Sequence, residues 1–189
     1  GAFEETSPAL IRAQFETNVF GTMNVTRAVL PVMRRQGEGH IFTVTSMSGH
    51  VGSDGTSIYC ASKYALEGWM DCLHLELERF GINVTSVAPG FFRTDFLDRR
   101  SMRFSDLSIE DYAGVSAEKR SALSQRNHRQ IGNPARAASV LQCVVRISPR
   151  LRRLFLGSDC LGALSGKVEA LQADIGQNLS LSPLTDGGH

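Results

Sequence analysis

Tyr59 and Lys63, in the stretch "YCASK", stand four residues apart near the start of a segment with helical periodicity. One turn of helix brings i and i+4 to a common face, so the ammonium can sit beside the phenol. A tyrosine, with a pKa of about 10, is a reluctant base near neutrality and becomes useful when a neighbouring cation stabilises its anion. Alone the pair has a bland explanation, a solvated surface contact. Further positions give it company. Ser46 closes an apolar, β-branched run thirteen residues earlier. Asn18 sits within a helical pattern in "NVFG", an odd place for a residue that favours caps and turns. Pro89-Gly90 end a second apolar run, and Thr94 follows four residues after the glycine.

The elements that must hold these residues can be read from periodicity. Ser7-Pro8, a cap residue followed by proline, starts a helix that runs to about Arg35, with a kink expected at Pro31. "IFTVTS", 41–46, and "INVTSVA", 82–88, read as strands buried on both faces. Between them a helix over 59–80 ends at Gly81 as its C-cap. Residues 91–130 are polar and arginine-rich, and are expected to form a long substrate loop or lid with one or two short helices. A helix restarts at Asn133-Pro134, and 152–157 is a third strand. Leu161, Leu164, Val168, Leu171 and Ile175, at steps of three and four, mark a last helix before a flexible tail at 176–189. Strands alternating with helices predict right-handed βαβ units and a parallel sheet covered on both faces. The whole of 1–189 is then one partial α/β domain, with few strands for such a sheet. In that architecture ligands bind at the carboxyl ends of strands, where Ser46 and Pro89-Gly90 lie.

Composition narrows the class. With 42% hydrophobic and 21% charged residues the chain is an ordinary globular one. Lys+Arg at 20 against Asp+Glu at 19 leaves no broad positive field, so nucleic acid is not an expected partner. Asp95 and Asp98 interrupt the local cluster of Arg93, Arg99, Arg100 and Arg103, which reads as a solvated loop. Cys60, Cys72, Cys143 and Cys160 have no metal-binding spacing and fit a reducing compartment. No apolar run is long enough to span a membrane, and "GAFEETSP" has no signal-peptide layout. A cytoplasmic protein without a metal centre is the expectation. Two glycine-rich stretches mislead. "GHVGSDG", 49–55, lacks the G-x-G-x-x-G spacing, and "GALSGKV", 162–168, lacks the spacing and the Ser/Thr of a phosphate loop. His50, His74 and His128 have no partner at ligand spacing.

Taken together, "NVFG", "VTSMSG", "YCASK" and "VAPGFFRT" resemble the single-domain branch of the short-chain dehydrogenase/reductase family. The resemblance is close over 1–97 and continues loosely through "GNPARAA" and "RRLFLGSDCL". It implies a Rossmann-like doubly wound parallel sheet and hydride transfer between a nicotinamide cofactor, NAD or NADP, and an alcohol or ketone. It further implies catalytic roles for Asn18, Ser46, Tyr59 and Lys63, and cofactor contacts from Tyr59, Lys63, Pro89, Gly90, Phe92 and Thr94. In similar enzymes the serine orients the substrate oxygen, the lysine holds the ribose hydroxyls, and the asparagine holds a water that resupplies protons. Similar enzymes also pair the equivalents of helices 8–35 and 59–80 across a two-fold axis, which implies a homodimer or homotetramer.

One departure stands out. Family members open with a strand, a T-G-x-x-x-G-x-G turn, further βαβ repeats and an N-A-G strand end, and none of these is in the sequence. The expectation is therefore the catalytic C-terminal part of such an enzyme, with roughly 60–90 residues of nucleotide-binding half missing. Two other readings remain open: a non-catalytic remnant acting at most as an interaction module, and a sugar-nucleotide epimerase or dehydratase, which shares the Y-x-x-x-K pair.

Overall fold

A computed structural model describes residues 1–187. Its first helical segment begins as the sequence predicts, with the Ser7 hydroxyl accepting from the Leu10 N–H and Pro8 in the first turn. The segment divides into α1 (Pro8–Phe15), a π-helical turn (Glu16–Phe20) and α2 (Gly21–Gln36). The departure from α geometry thus falls at Glu16–Phe20, while the α-helix runs on through Pro31. The Gly21 N–H reaches back five residues to the Glu16 carbonyl, and a Cβ on Gly21 would stand only 3.3 Å from that oxygen. Asn18 lies in the middle of this turn.

β1 (Gly39–Val44) pairs in parallel with β2 (Ile82–Pro89), from Gly39 opposite Ile82 to Val44 opposite Val87. β2 pairs in parallel with β3 (Arg153–Leu156), giving the sheet order β1-β2-β3. Between β1 and β2 runs α3 (Ser57–Leu77), closed by a 3₁₀ turn and by Gly81. Gly81 has φ +68°, and a Cβ there would meet the Gly37 carbonyl at 2.4 Å, so both conformation and space demand glycine.

Two apolar clusters lie on opposite faces of this sheet. Ile41, Ile82 and Val84 meet Met70, Leu73 and Leu77 of α3, with Leu30 and Met33 of α2 packed alongside. Val87, Leu154 and Leu156 meet Val144 of α5 (Pro134–Val144), with Phe42 and Leu141 alongside. Successive residues of a strand point to opposite faces, so α3 covers one side and α5 the other. Both crossovers step the same way along β1-β2-β3, so they have opposite hands. The expected right-handed geometry cannot hold for both.

The 91–130 region is more ordered than polar composition suggested. It contains α4 (Ala113–Arg126), fourteen residues long, and residues just before and within α4 anchor the N-terminal segment. Asp106 accepts from the Ser7 N–H at 2.9 Å, and the buried Glu5 carboxylate accepts from Ser116 Oγ at 2.5 Å. α4 was weakly legible because it lies on the surface, with Ser116 alone among its residues fully buried. α6 (Ser158–Asn178) completes the elements, and "GALSGKV" lies inside it. Helix therefore continues into the expected tail, whose Gly188 and His189 lie outside the described residues.

Candidate active site

The carboxyl ends of the three strands converge with the first turns of α3, and this is where the predicted residues gather. Ser46 lies two residues past β1. Its Oγ accepts from the Ser48 N–H at 3.0 Å, capping a short 3₁₀ turn (Met47–Gly49). That bond occupies an acceptor lone pair and leaves the hydroxyl hydrogen free to donate. Tyr59 lies in the first turn of α3, half-buried, with its ring 5.9 Å from the ring of Phe96. Burial pushes the Tyr59 phenol above its ordinary value, and the neighbouring Ser46 hydroxyl pulls part of the way back.

Lys63 follows one turn later. Its ammonium lies 5.8 Å from the centre of the Tyr59 ring and donates to the Val44 carbonyl at 3.0 Å. That carbonyl is the last of β1, so the helix pair is tied to the strand end. Burial lowers the Lys63 pKa, and the Glu67 carboxylate opposes the fall. The pairing alone predicts a lowered phenol pKa. The environment instead pushes it upward, because desolvation of the phenol outweighs the Ser46 hydrogen bond.

Asn18 reaches the same helix from the π turn. Its Nδ2 donates to Ser62 Oγ at 3.1 Å, and Ser62 Oγ in turn donates to the Tyr59 carbonyl at 2.8 Å. Pro89 ends β2, and the Gly90 N–H donates to the Leu156 carbonyl at 2.8 Å. A Cβ on Gly90 would fall 2.3–2.5 Å from the Asp159 carboxylate, which accepts from the Phe91 N–H at 2.7 Å. The Phe92 ring packs against the Val87–Leu154 cluster, and its carbonyl accepts from the Thr94 N–H at 3.0 Å. Thr94 is exposed, and its hydroxyl accepts from the Phe96 N–H at 3.3 Å at the head of a short turn (Asp95–Leu97).

Three residues escaped the sequence reading. Asp159 fastens the Gly90-Phe91 turn from α6, with no local sequence signal to reveal it. Ser62 was hidden as an ordinary small helix residue. Glu67 was within reach, since 59, 63 and 67 fall at steps of four on one helix face. It is 5% exposed, takes a bond from Ser86 Oγ at 3.0 Å, and lies 3.2 Å from His50 Nε2 and 3.6 Å from Arg153 Nε. Burial opposes its ionisation, yet His50, Thr45 and Ser86 together hold its carboxyl below the usual range. Glu67 also explains Gly49: a Cβ there would sit 3.0 Å from both Glu67 Cγ and the Lys63 carbonyl. The loop carrying Ser46 is thereby pressed onto the helix carrying Tyr59 and Lys63.

The sequence pattern of the short chain dehydrogenase family matches residues 1–103, a span that includes every one of these predicted residues. The chain belongs to the short-chain dehydrogenase family. Among its relatives, oxidoreductase BOA17 of Botryotinia fuckeliana (strain B05.10) is 33% identical over 161 residues, covering 85% of this chain and 58% of the relative. The chain thus spans little more than half the length of that protein. A short-chain dehydrogenase from Streptomyces avermitilis, 36% identical, superposes with a TM-score of 0.89 over 99% of this chain and 67% of its own. A family member from Burkholderia phymatum, crystallised with NAD, shares the fold at 21% identity and a TM-score of 0.77 over 92% of this chain and 63% of its own. The three-stranded parallel sheet is consistent with part of the family's Rossmann-like domain.

Proposed function

We propose that residues 1–189 carry the proton-transfer side of a nicotinamide-dependent oxidoreductase that interconverts an alcohol and a ketone. One observation carries the reading: Tyr59, Lys63 and Ser46 stand together at the carboxyl end of β1, on a helix and a loop clamped to each other through Glu67. The donor set suits the nicotinamide end of NAD or NADP. The Lys63 ammonium and Tyr59 hydroxyl would hold ribose hydroxyls, and the backbone at Pro89, Gly90 and Phe92 with Thr94 would hold the carboxamide. Bound there, the cofactor supplies or accepts the hydride at the carbinol carbon.

The chain's own residues handle the proton. In the reductive direction the Tyr59 hydroxyl gives its proton to the substrate oxygen as negative charge develops there, and the Ser46 hydroxyl orients the same oxygen. In the oxidative direction the phenolate takes that proton back. The buried site makes the anion expensive, the Ser46 hydrogen bond offsets part of that cost, and the Lys63 ammonium, 5.8 Å from the ring centre, is the charge proposed to favour the phenolate further. Asn18, bonded to the turn that carries Tyr59, is placed to steady that turn and the path by which Lys63 exchanges protons with solvent. Residues 91–130 border the site as a substrate loop, and the complete protein is a homodimer or homotetramer.

The test is the complete gene product incubated with NADH or NADPH and a panel of ketones and aldehydes, followed by loss of nicotinamide absorbance. Substrate-dependent oxidation of one cofactor is expected. Cofactor binding without turnover on any carbonyl, together with turnover on a nucleotide-linked sugar, would favour the epimerase reading.

A further inference from the structure

We propose that α6 is a self-association element, pairing in antiparallel fashion with α6 of a second copy of this chain about a two-fold axis near its middle. The first turns of α6 pack on the body: Cys160 is fully buried, and the helix meets β3 and the 47–49 turn. Beyond them it stands clear. Every residue from Val168 to Asn178 is exposed, including Val168, Leu171 and Ile175 at 52, 45 and 62%. A solvated helical stretch this short is marginal in water, so a covering surface is called for.

The spacing of the apolar residues names the kind of cover. Leu161, Leu164, Val168, Leu171 and Ile175 alternate in steps of three and four, a 3.5-residue repeat that favours packing against one similar helix. In an antiparallel pair each layer joins positions from opposite ends of the stripe. Val168 then meets Leu171 of the partner subunit, and Leu164 meets Ile175 of the partner subunit. The same alignment sets Lys167 opposite Asp174 of the partner subunit, and Asp174 opposite the partner subunit's Lys167. Ser165 faces Gln172 of the partner subunit on the other flank. A parallel pair in register would instead leave both charges facing uncharged residues. The antiparallel arrangement is isologous, so it closes as a two-fold contact.

The sheet order removes one competitor. α6 follows β3, and β3 is the edge strand farthest from the unpaired edge of β1. Strands that extend the sheet at β1 lie on the far side and leave α6 uncovered. The proposal is independent of the catalytic reading.

Cysteine cross-linking of the complete gene product tests it, in a background with the exposed Cys72 and Cys143 replaced by serine. Under mild oxidation the double variant Val168→Cys/Leu171→Cys is expected to form intersubunit disulfides, and neither single variant is. Adding Asp174→Lys to the double variant opposes like charges at both Lys167 contacts on that one flank and should reduce the cross-linking rate by about tenfold. Further adding Lys167→Asp should restore it. Cross-linking of both single variants would establish a parallel pair and overturn the proposal. So would absence of cross-linking in the double variant, or indifference to the charge reversal.

Discussion

At Tyr59 burial disfavours the phenolate and a neighbouring hydroxyl favours it. The environment raises its pKa, and the Ser46 hydroxyl lowers it. On the proposed mechanism the phenolate is the active form in alcohol oxidation, so the rate is expected to climb with pH through the phenol's titration. Lys63→Met removes the charge while keeping much of the aliphatic stem. Its oxidation profile is expected to move to higher pH, with a lower plateau from lost ribose contacts. Ser46→Ala should move the same limb in the same direction and also lower kcat, since the substrate oxygen loses a donor. Steady-state pH profiles of the two variants measure both. An unmoved limb in Lys63→Met would leave the lysine as a tether between α3 and the Val44 carbonyl.

At the scale of elements, Glu67 joins the helix, the Ser46 loop and two strands through one carboxylate. Its folded pKa lies below the ordinary carboxyl value of 4.5. Such a group stabilises the fold above the unfolded-state value and loses that contribution as pH falls through the folded one. Urea unfolding of the wild type is therefore expected to weaken below about pH 4.5. Glu67→Gln, which leaves His50 and Arg153 beside a neutral amide, should cost roughly 1–3 kcal/mol near neutrality and flatten that acid limb. Equal acid sensitivity in wild type and variant would assign the limb to other carboxylates. The strands, α3 and α5 were legible because buried β-branched runs and capped amphipathic helices announce themselves locally. The π turn was not, since it depends on where the Glu16 carbonyl meets a glycine. Nor was the hand of the crossovers, which depends on which face α5 finds after the long connection over residues 90–133. In the candidate site, residues with an unusual type for their position were readable from the sequence: Ser46, Tyr59, Lys63 and Asn18. Asp159 was not, because its meaning rests on a contact 68 residues away.

At the scale of the whole molecule, the chain carries one part of the proposed site. The described residues supply the strand ends, the tyrosine helix and the turn at Pro89-Gly90, and the sequence contains no T-G-x-x-x-G-x-G turn for a diphosphate. Phosphates of a dinucleotide are held chiefly by backbone N–H groups of such a turn and by the helix dipole behind it. The 189-residue chain expressed alone is therefore expected to bind NAD(H) or NADP(H) with no saturation below roughly millimolar concentration. It also presents an unpaired β1 edge beside exposed Val25 and Val44, which favours aggregation. Calorimetric titration of the soluble fraction checks the first expectation, and a micromolar dissociation constant would reveal a phosphate site among residues not assigned one. The central claim, that this chain bears the proton donor of a hydride-transfer enzyme, meets its most direct test in the complete gene product. The measurement is single-turnover reduction of a ketone by wild type and Tyr59→Phe, with cofactor affinity determined in parallel. The account predicts a loss of roughly 10²–10⁴-fold in the rate, with cofactor affinity weakened by no more than about tenfold through the lost ribose contact. A variant that keeps most of the wild-type rate would contradict it.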